Sequence, residues 1–72
     1  SSQIQNLGYK ELMNMIMELP AGFRTVFNMY AIEGYSHKEI GEMLGISETT
    51  SRTQLSRARI SLQNKIKERE NV

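Results

Sequence analysis

The segment from Glu33 to Ser47, EGYSHKEIGEMLGIS, constrains the fold more tightly than any other part of the chain. Ser36 followed by Glu39 spells a capping box. The serine hydroxyl takes the N–H of residue 39 while the glutamate reaches back to the N–H of Ser36, so a helix begins there. Tyr35 before the cap and Ile40 after it can close on each other as a hydrophobic staple. Gly45 supplies the permissive backbone of a tight turn, and Gly41 lets the next element approach closely. Ser47 is then an N-cap for a further helix, with Glu48 in its first turn at the positive end of the dipole. A short helix, a glycine turn and a second helix, pinned by Ile40, Leu44 and Ile46, form a helix-turn-helix pattern in which the second helix projects its first turns outward.

The rest of the chain supports that pair with two earlier helices. Leu12, Ile16 and Leu19, with Met13 and Met15 to Met17 around them, recur at helical spacing until proline biases Leu19 out of the helix. Pro20-Ala21-Gly22 opens a second helix, whose Phe23, Val26, Phe27, Tyr30 and Ala31 form one broad apolar stripe, and Gly34 ends it. Stripes of methionine and aromatic residues at this spacing read as core rather than as a cofactor pocket. Ile40, Met43 and Leu44 are expected to face inward in the third helix, and Leu55, Ala58, Leu62 and Ile66 in the fourth. The reading is all-α: one domain over residues 1–72, with helices at about 9–18, 21–32, 36–44 and 47–68 and no sheet.

Composition narrows the function. A chain of 72 residues buries only about 60% of its unfolded surface, which argues against a large substrate cleft. It has no cysteine and a single histidine, so thiolate and multi-histidine metal sites are excluded; the absence of cysteine fits a reducing, cytoplasmic compartment. No apolar run approaches the roughly 20 residues of a membrane span, and SSQIQN does not resemble a signal peptide. Glu39 has a capping role and forms no catalytic pair with Glu42, so neither enzyme activity nor a cofactor is expected.

Charge is unevenly distributed. Residues 1–46 carry three basic against five acidic side chains, whereas residues 47–72 carry six against three. Projected at 100° per residue with Leu55 inward, the fourth helix places Thr49, Thr50, Thr53, Ser56 and Arg57 on its outer half, with Arg52 and Gln54 on the flanks. Hydroxyls donate and accept, glutamine can pair with adenine, and arginine can fork onto guanine or grip phosphate. Arg59, Lys65, Lys67 and Arg69 are read as general electrostatic attraction or solubility. His37 and Lys38 lie in the first turn of the third helix, within reach of phosphate, with solvent exposure the alternative for His37.

With these residues in hand, the chain resembles region 4 of the bacterial extracytoplasmic-function (ECF) sigma factors of the sigma-70 family. The resemblance runs from about Leu12 to Ile66 and is most specific in LPAGFRTVF, EGYSHKEIGEMLGIS and QLSRAR. It implies a fold of the sigma region 4, winged-helix-like DNA-binding type. It further implies that the fourth helix binds the -35 element of double-stranded promoter DNA and that the domain docks on the flap of the RNA polymerase beta subunit. Carried onto this chain, it implies base or phosphate contacts from Glu48, Thr49, Arg52, Thr53, Ser56 and Arg57, with Lys38 near the DNA backbone. Apolar surface on the early helices is then expected to serve the flap or an anti-sigma factor. Ser51 stands where many relatives carry an inward valine, and Thr49 where glycine is common. Region 2 is missing from this chain, so the expectation is a monomeric promoter-recognition module of a longer factor, without a membrane partner.

Two other readings compete. The effector domain of a response regulator has a similar four-helix form but works as a dimer on paired half-sites. A protein-interaction module would use the fourth helix for a partner, and its binding would not weaken steeply with salt.

Overall fold

The computed structural model describes residues 8–70. Within them lie four helices and no strand: α1 (Tyr9–Met17), α2 (Ala21–Phe27) running on into a π-helical turn (Asn28–Ile32), α3 (His37–Leu44) and α4 (Glu48–Glu70). The fold is therefore all-α, and the described residues contain no wing hairpin. No helix among them is long and apolar enough to cross a membrane.

Each junction has a local cause. After α1, Pro20 sits in an extended conformation and its carbonyl accepts from Arg24 N–H at 2.9 Å. The Arg24 guanidinium donates back to the Met17 carbonyl at 2.8 Å, tying the end of α1 to α2. In the π-helical turn, Glu33 N–H bonds the Asn28 carbonyl at 2.9 Å, the wider spacing that defines such a turn. Gly34 then takes φ +83° and Tyr35 N–H returns to the Met29 carbonyl.

The capping box of α3 is complete. Glu39 N–H donates to Ser36 Oγ at 3.1 Å, and Ser36 N–H donates to Glu39 Oε1 at 2.9 Å. Those bonds hold the Glu39 carboxyl below the ordinary glutamate range, with the backbone bond from Ser36 the largest cause. A lowered folded-state pKa contributes stability that is present above the unfolded value and lost as pH falls through the folded one. Glu39→Ala should therefore lower the thermal midpoint at pH 7, with the gap to wild type closing below about pH 4. A gap unchanged from pH 7 to pH 3 would show that the carboxylate bond adds nothing.

The core forms two clusters that share Phe27. Ile16, Leu19, Ala58 and Leu62 make one, with Leu12, Met13, Met15 and Phe23 packed on it. Val26, Met29, Ile40 and Leu55 make the other, with Tyr35 and Ile46 against it. Thus α4 is the spine: Leu55 seats its early turns on α2 and α3, and Ala58 and Leu62 seat its middle on α1. Ile66 is half-buried. Two ion pairs reinforce the far end, Lys65 with Glu18 at 4.0 Å and Arg69 with Glu11. These cations brace α1, a structural role that the reading of Lys65 and Arg69 as general attraction overlooked.

Several inward expectations are corrected. Met43 and Leu44 are 56% and 39% exposed, because α3 turns Ile40 and Gly41 inward and Gly41 brings its backbone against the following turn. Tyr30 and Ala31 are also exposed, since the π-helical turn adds residues per turn and rotates them out of the stripe that a regular helix would continue. Met17 lies at the end of α1 and is 62% exposed, so not every methionine is core.

Candidate nucleic-acid interface

The turn between α3 and α4 is built at close quarters. Gly45 adopts φ +70°, and Ile46 N–H bonds the Gly41 carbonyl at 3.0 Å. A Cβ on Gly41 would lie 2.6 Å from the Ile46 carbonyl oxygen, so only glycine fits without a shift. Ser47 caps α4: its Oγ accepts from Thr50 N–H at 2.9 Å, and its hydroxyl donates to Thr50 Oγ1 at 2.8 Å.

Seated in this way, α4 buries Ser51, Leu55 and Ala58 and turns Glu48, Thr49, Arg52, Thr53, Ser56 and Arg57 to solvent. Lys38 is exposed on the first turn of α3. Glu48 and Arg52 form an ion pair at 2.6 Å across one turn of α4, so the arginine is held along the edge of the exposed face. No hydrogen bond or ion pair within the described residues holds the Arg57 guanidinium.

Gln54 departs from its expected role. It is half-buried against the first turn of α2, where its Oε1 would lie 3.6 Å from a Cβ at Gly22. It shares a hollow there with Val26, Leu44 and Ile46. That placement turns its amide toward α2 rather than along the outer face.

His37, read from the sequence as within reach of phosphate or else solvent-exposed, is half-buried and bonded to α4. Its Nδ1 is 2.8 Å from Ser51 Oγ, and Ser51 is fully buried. The imidazole stacks on Tyr30 with ring centroids 4.4 Å apart and planes 15° from parallel. The Arg59 guanidinium lies 6.0 Å from the same tyrosine ring, giving that arginine a packing role as well. Burial, chiefly, and then the Arg52 charge hold the His37 pKa below its ordinary value; Arg59 adds to this, and Glu48 opposes it. A serine in phase with Leu55, Ala58 and Leu62 was the available signal, because a hydroxyl on a buried stripe demands a partner. The hydrogen bond seats the first turns of α4 where an apolar side chain would otherwise pack.

Two further concavities border α4. His37, Arg52, Ser56 and Arg59 border one of about 430 Å³ beside the exposed face. Leu12, Phe27, Leu62 and Ile66 line an apolar groove of about 320 Å³ that adjoins it, with Arg59 and Gln63 shared between the two. Among the described residues no cluster of histidine and acidic side chains could hold a metal ion.

This arrangement, a short capped helix locked by a glycine turn to a longer helix with an outward polar face, suits insertion into the major groove of DNA. No curated protein and no solved structure matches the chain. The model of the family described as sigma-70, region 4 matches residues 9–62, three quarters of the chain, and takes in α1 to α3, the glycine turn and α4 as far as Leu62. The chain belongs to the sigma-70 region 4 family, whose domains bind promoter DNA in sigma factors.

Proposed function

We propose that this chain is the promoter-recognition domain of an ECF sigma factor, reading the -35 element with the first turns of α4 and acting as a monomer in the cytoplasm. The observation that carries the reading is the division of α4 into two faces. Leu55 and Ala58 anchor it, while every side chain that it turns outward from Glu48 to Arg57 is polar or charged. Thr49, Thr53, Ser56 and Arg57 supply base or phosphate contacts, the Glu48–Arg52 pair reads or braces the groove edge, and Lys38 approaches the DNA backbone. A single module of this kind buries on the order of 600–1,000 Å², so the isolated domain binds weakly.

The apolar groove between α1, α2 and α4 is the docking surface for the beta flap of core RNA polymerase, and an anti-sigma factor would compete for it. Its lining, Leu12, Phe27, Leu62 and Ile66, gives the apolar half of such a contact. Nothing in the arrangement calls for catalysis, and the domain works by binding.

Selection of bound duplexes from a random-sequence pool tests the DNA reading. Enrichment of one short asymmetric motif supports it. A palindrome or paired half-sites would instead indicate a dimeric regulator of the response-regulator type, and no enrichment at low salt would leave α4 without a sequence to read. Within the selected motif, Arg57→Ala should cost about 1–3 kcal/mol and relax preference at the contacted position. Lys67→Ala should leave the preference intact. Equal losses on specific and random duplex from both changes would remove Arg57 from base readout.

A further inference from the structure

The hollow beside the exposed face gathers donors from two helices. Arg52, Ser56 and Arg59 follow one another at helical spacing along one side of α4, and His37 closes the other side from α3. No carboxylate lines it; Glu48, the nearest acid on α4, is paired with Arg52. The imidazole is fixed in place, since Nδ1 is bonded to buried Ser51 and one ring face is covered by Tyr30. The other ring nitrogen is the one left for a ligand. Arginine, serine and a second arginine beside a groove-reading helix are the residue types that grip DNA phosphates.

We propose that this hollow seats one backbone phosphate of the bound duplex and that His37 takes up a proton as the phosphate enters. The proposal rests on the DNA-binding reading above and assigns a site within it. In the free chain the charges facing the ring are Arg52 and Arg59, which oppose an imidazolium, and Glu48, which favours it; Tyr30 packs on it from the π-helical turn, and Lys38 and Glu39 are its neighbours on α3. With burial added, the ring is neutral at neutral pH. A phosphodiester anion between the two arginines cancels their repulsion and attracts the imidazolium directly, so the His37 pKa rises in the complex. The complex then holds more protons than its free components, and affinity climbs as pH falls through the bound-state pKa, levelling off below the free-state one. Nδ1 can keep its contact throughout: the imidazolium donates to Ser51 Oγ, and the serine hydroxyl turns to a backbone carbonyl one helical turn back.

His37 is the only histidine in the chain, so its imidazole proton resonances can be followed without ambiguity. Its titration should be recorded by NMR in the free chain and with a saturating selected duplex. The expected result is a midpoint below the ordinary histidine value in the free chain and a higher one in the complex. In parallel, affinity should rise on the order of threefold to fivefold from pH 7.5 to pH 6. In His37→Asn, whose side chain can still bond Ser51 but does not titrate, affinity should be flat over that range. Arg59→Gln should reduce the slope of log affinity against log salt by about one. An unchanged or lowered midpoint in the complex, with sequence-selective binding intact, overturns the phosphate site and leaves the DNA reading standing. Failure to bind any duplex at low salt overturns both.

Discussion

Gly41→Ala is expected to destabilise the chain by about 2 kcal/mol and to reduce DNA affinity by more than the loss of folded protein explains. Two effects of opposite sign meet at this position. Alanine is the better helix former, by about 1 kcal/mol in an exposed helix interior. Against this, the added Cβ would sit 2.6 Å from the Ile46 carbonyl oxygen and 3.5 Å from Glu48 N. Both neighbours are backbone, so no side-chain rotation relieves the clash, and overpacking of this kind costs about 1–3 kcal/mol or more. The steric cost wins. The shift falls on Ile46 to Glu48, the segment that sets where α4 begins and how it leaves α3, so the reading face moves with it. Gly22→Ala is the internal contrast: a Cβ there meets only Gln54, at 3.6 Å or beyond, and the substitution should be neutral or stabilising by up to about 1 kcal/mol. Urea denaturation of both variants, with duplex binding measured on the folded fraction, decides the matter. A Gly41→Ala protein as stable as Gly22→Ala would mean that the two helices of the pair are not in close approach.

The parts of this arrangement that are short in sequence were legible in it. The capping box joins residues three apart, and the glycine turn is a local conformational demand, so Ser36, Glu39, Gly45 and Ser47 could be placed from residue type alone. The buried stripe of α4 was legible because a long regular helix keeps its phase from Leu55 to Leu62. Phase is also where legibility failed. The π-helical turn at Asn28–Ile32 breaks the 3.6-residue repeat, and no residue type announces it, so Tyr30 and Ala31 were assigned to a stripe that ends before them. Gln54 shows a second kind of failure. Its position on the helix flank was read correctly, but its direction depends on the space that Gly22 leaves on a different helix. The His37–Ser51 bond spans fourteen residues and joins groups that are each ordinary on a surface. Only the packing of α4 on α3 makes one of them buried and the other its partner. For the recognition face, charge and hydroxyl content pointed to α4, whereas the hollow formed with His37 required the three-dimensional arrangement.

Ile40→Ala should be the most destabilising single truncation in the pair, at about 3–4 kcal/mol. Ile40 is fully buried, in a cluster with Val26, Met29 and Leu55, and Phe27, Tyr35 and Ile46 pack around it. These neighbours come from α2, the π-helical turn, the loops on either side of α3, and α4, so no one element can move to fill the vacated space. The loss is the transfer free energy of the missing carbons plus the contacts left around a cavity. Small domains have total stabilities of about 5 kcal/mol or somewhat more, so this variant should be substantially unfolded at modest urea, with its midpoint lowered and its denaturant slope unchanged. Ile40→Val, which removes one methyl group, should cost about 1 kcal/mol. Ile60→Ala should change little, within about 0.5 kcal/mol, because Ile60 is 53% exposed. The order Ile40→Ala, Ile40→Val, Ile60→Ala is the signature of one tight contact point between the helix pair and its support. If Ile40→Ala and Ile60→Ala proved equally mild, α3 would be held by its caps and turns instead. The exposed face of α4 would then owe its orientation to the Gly41 contact and the His37–Ser51 bond rather than to the core beneath it.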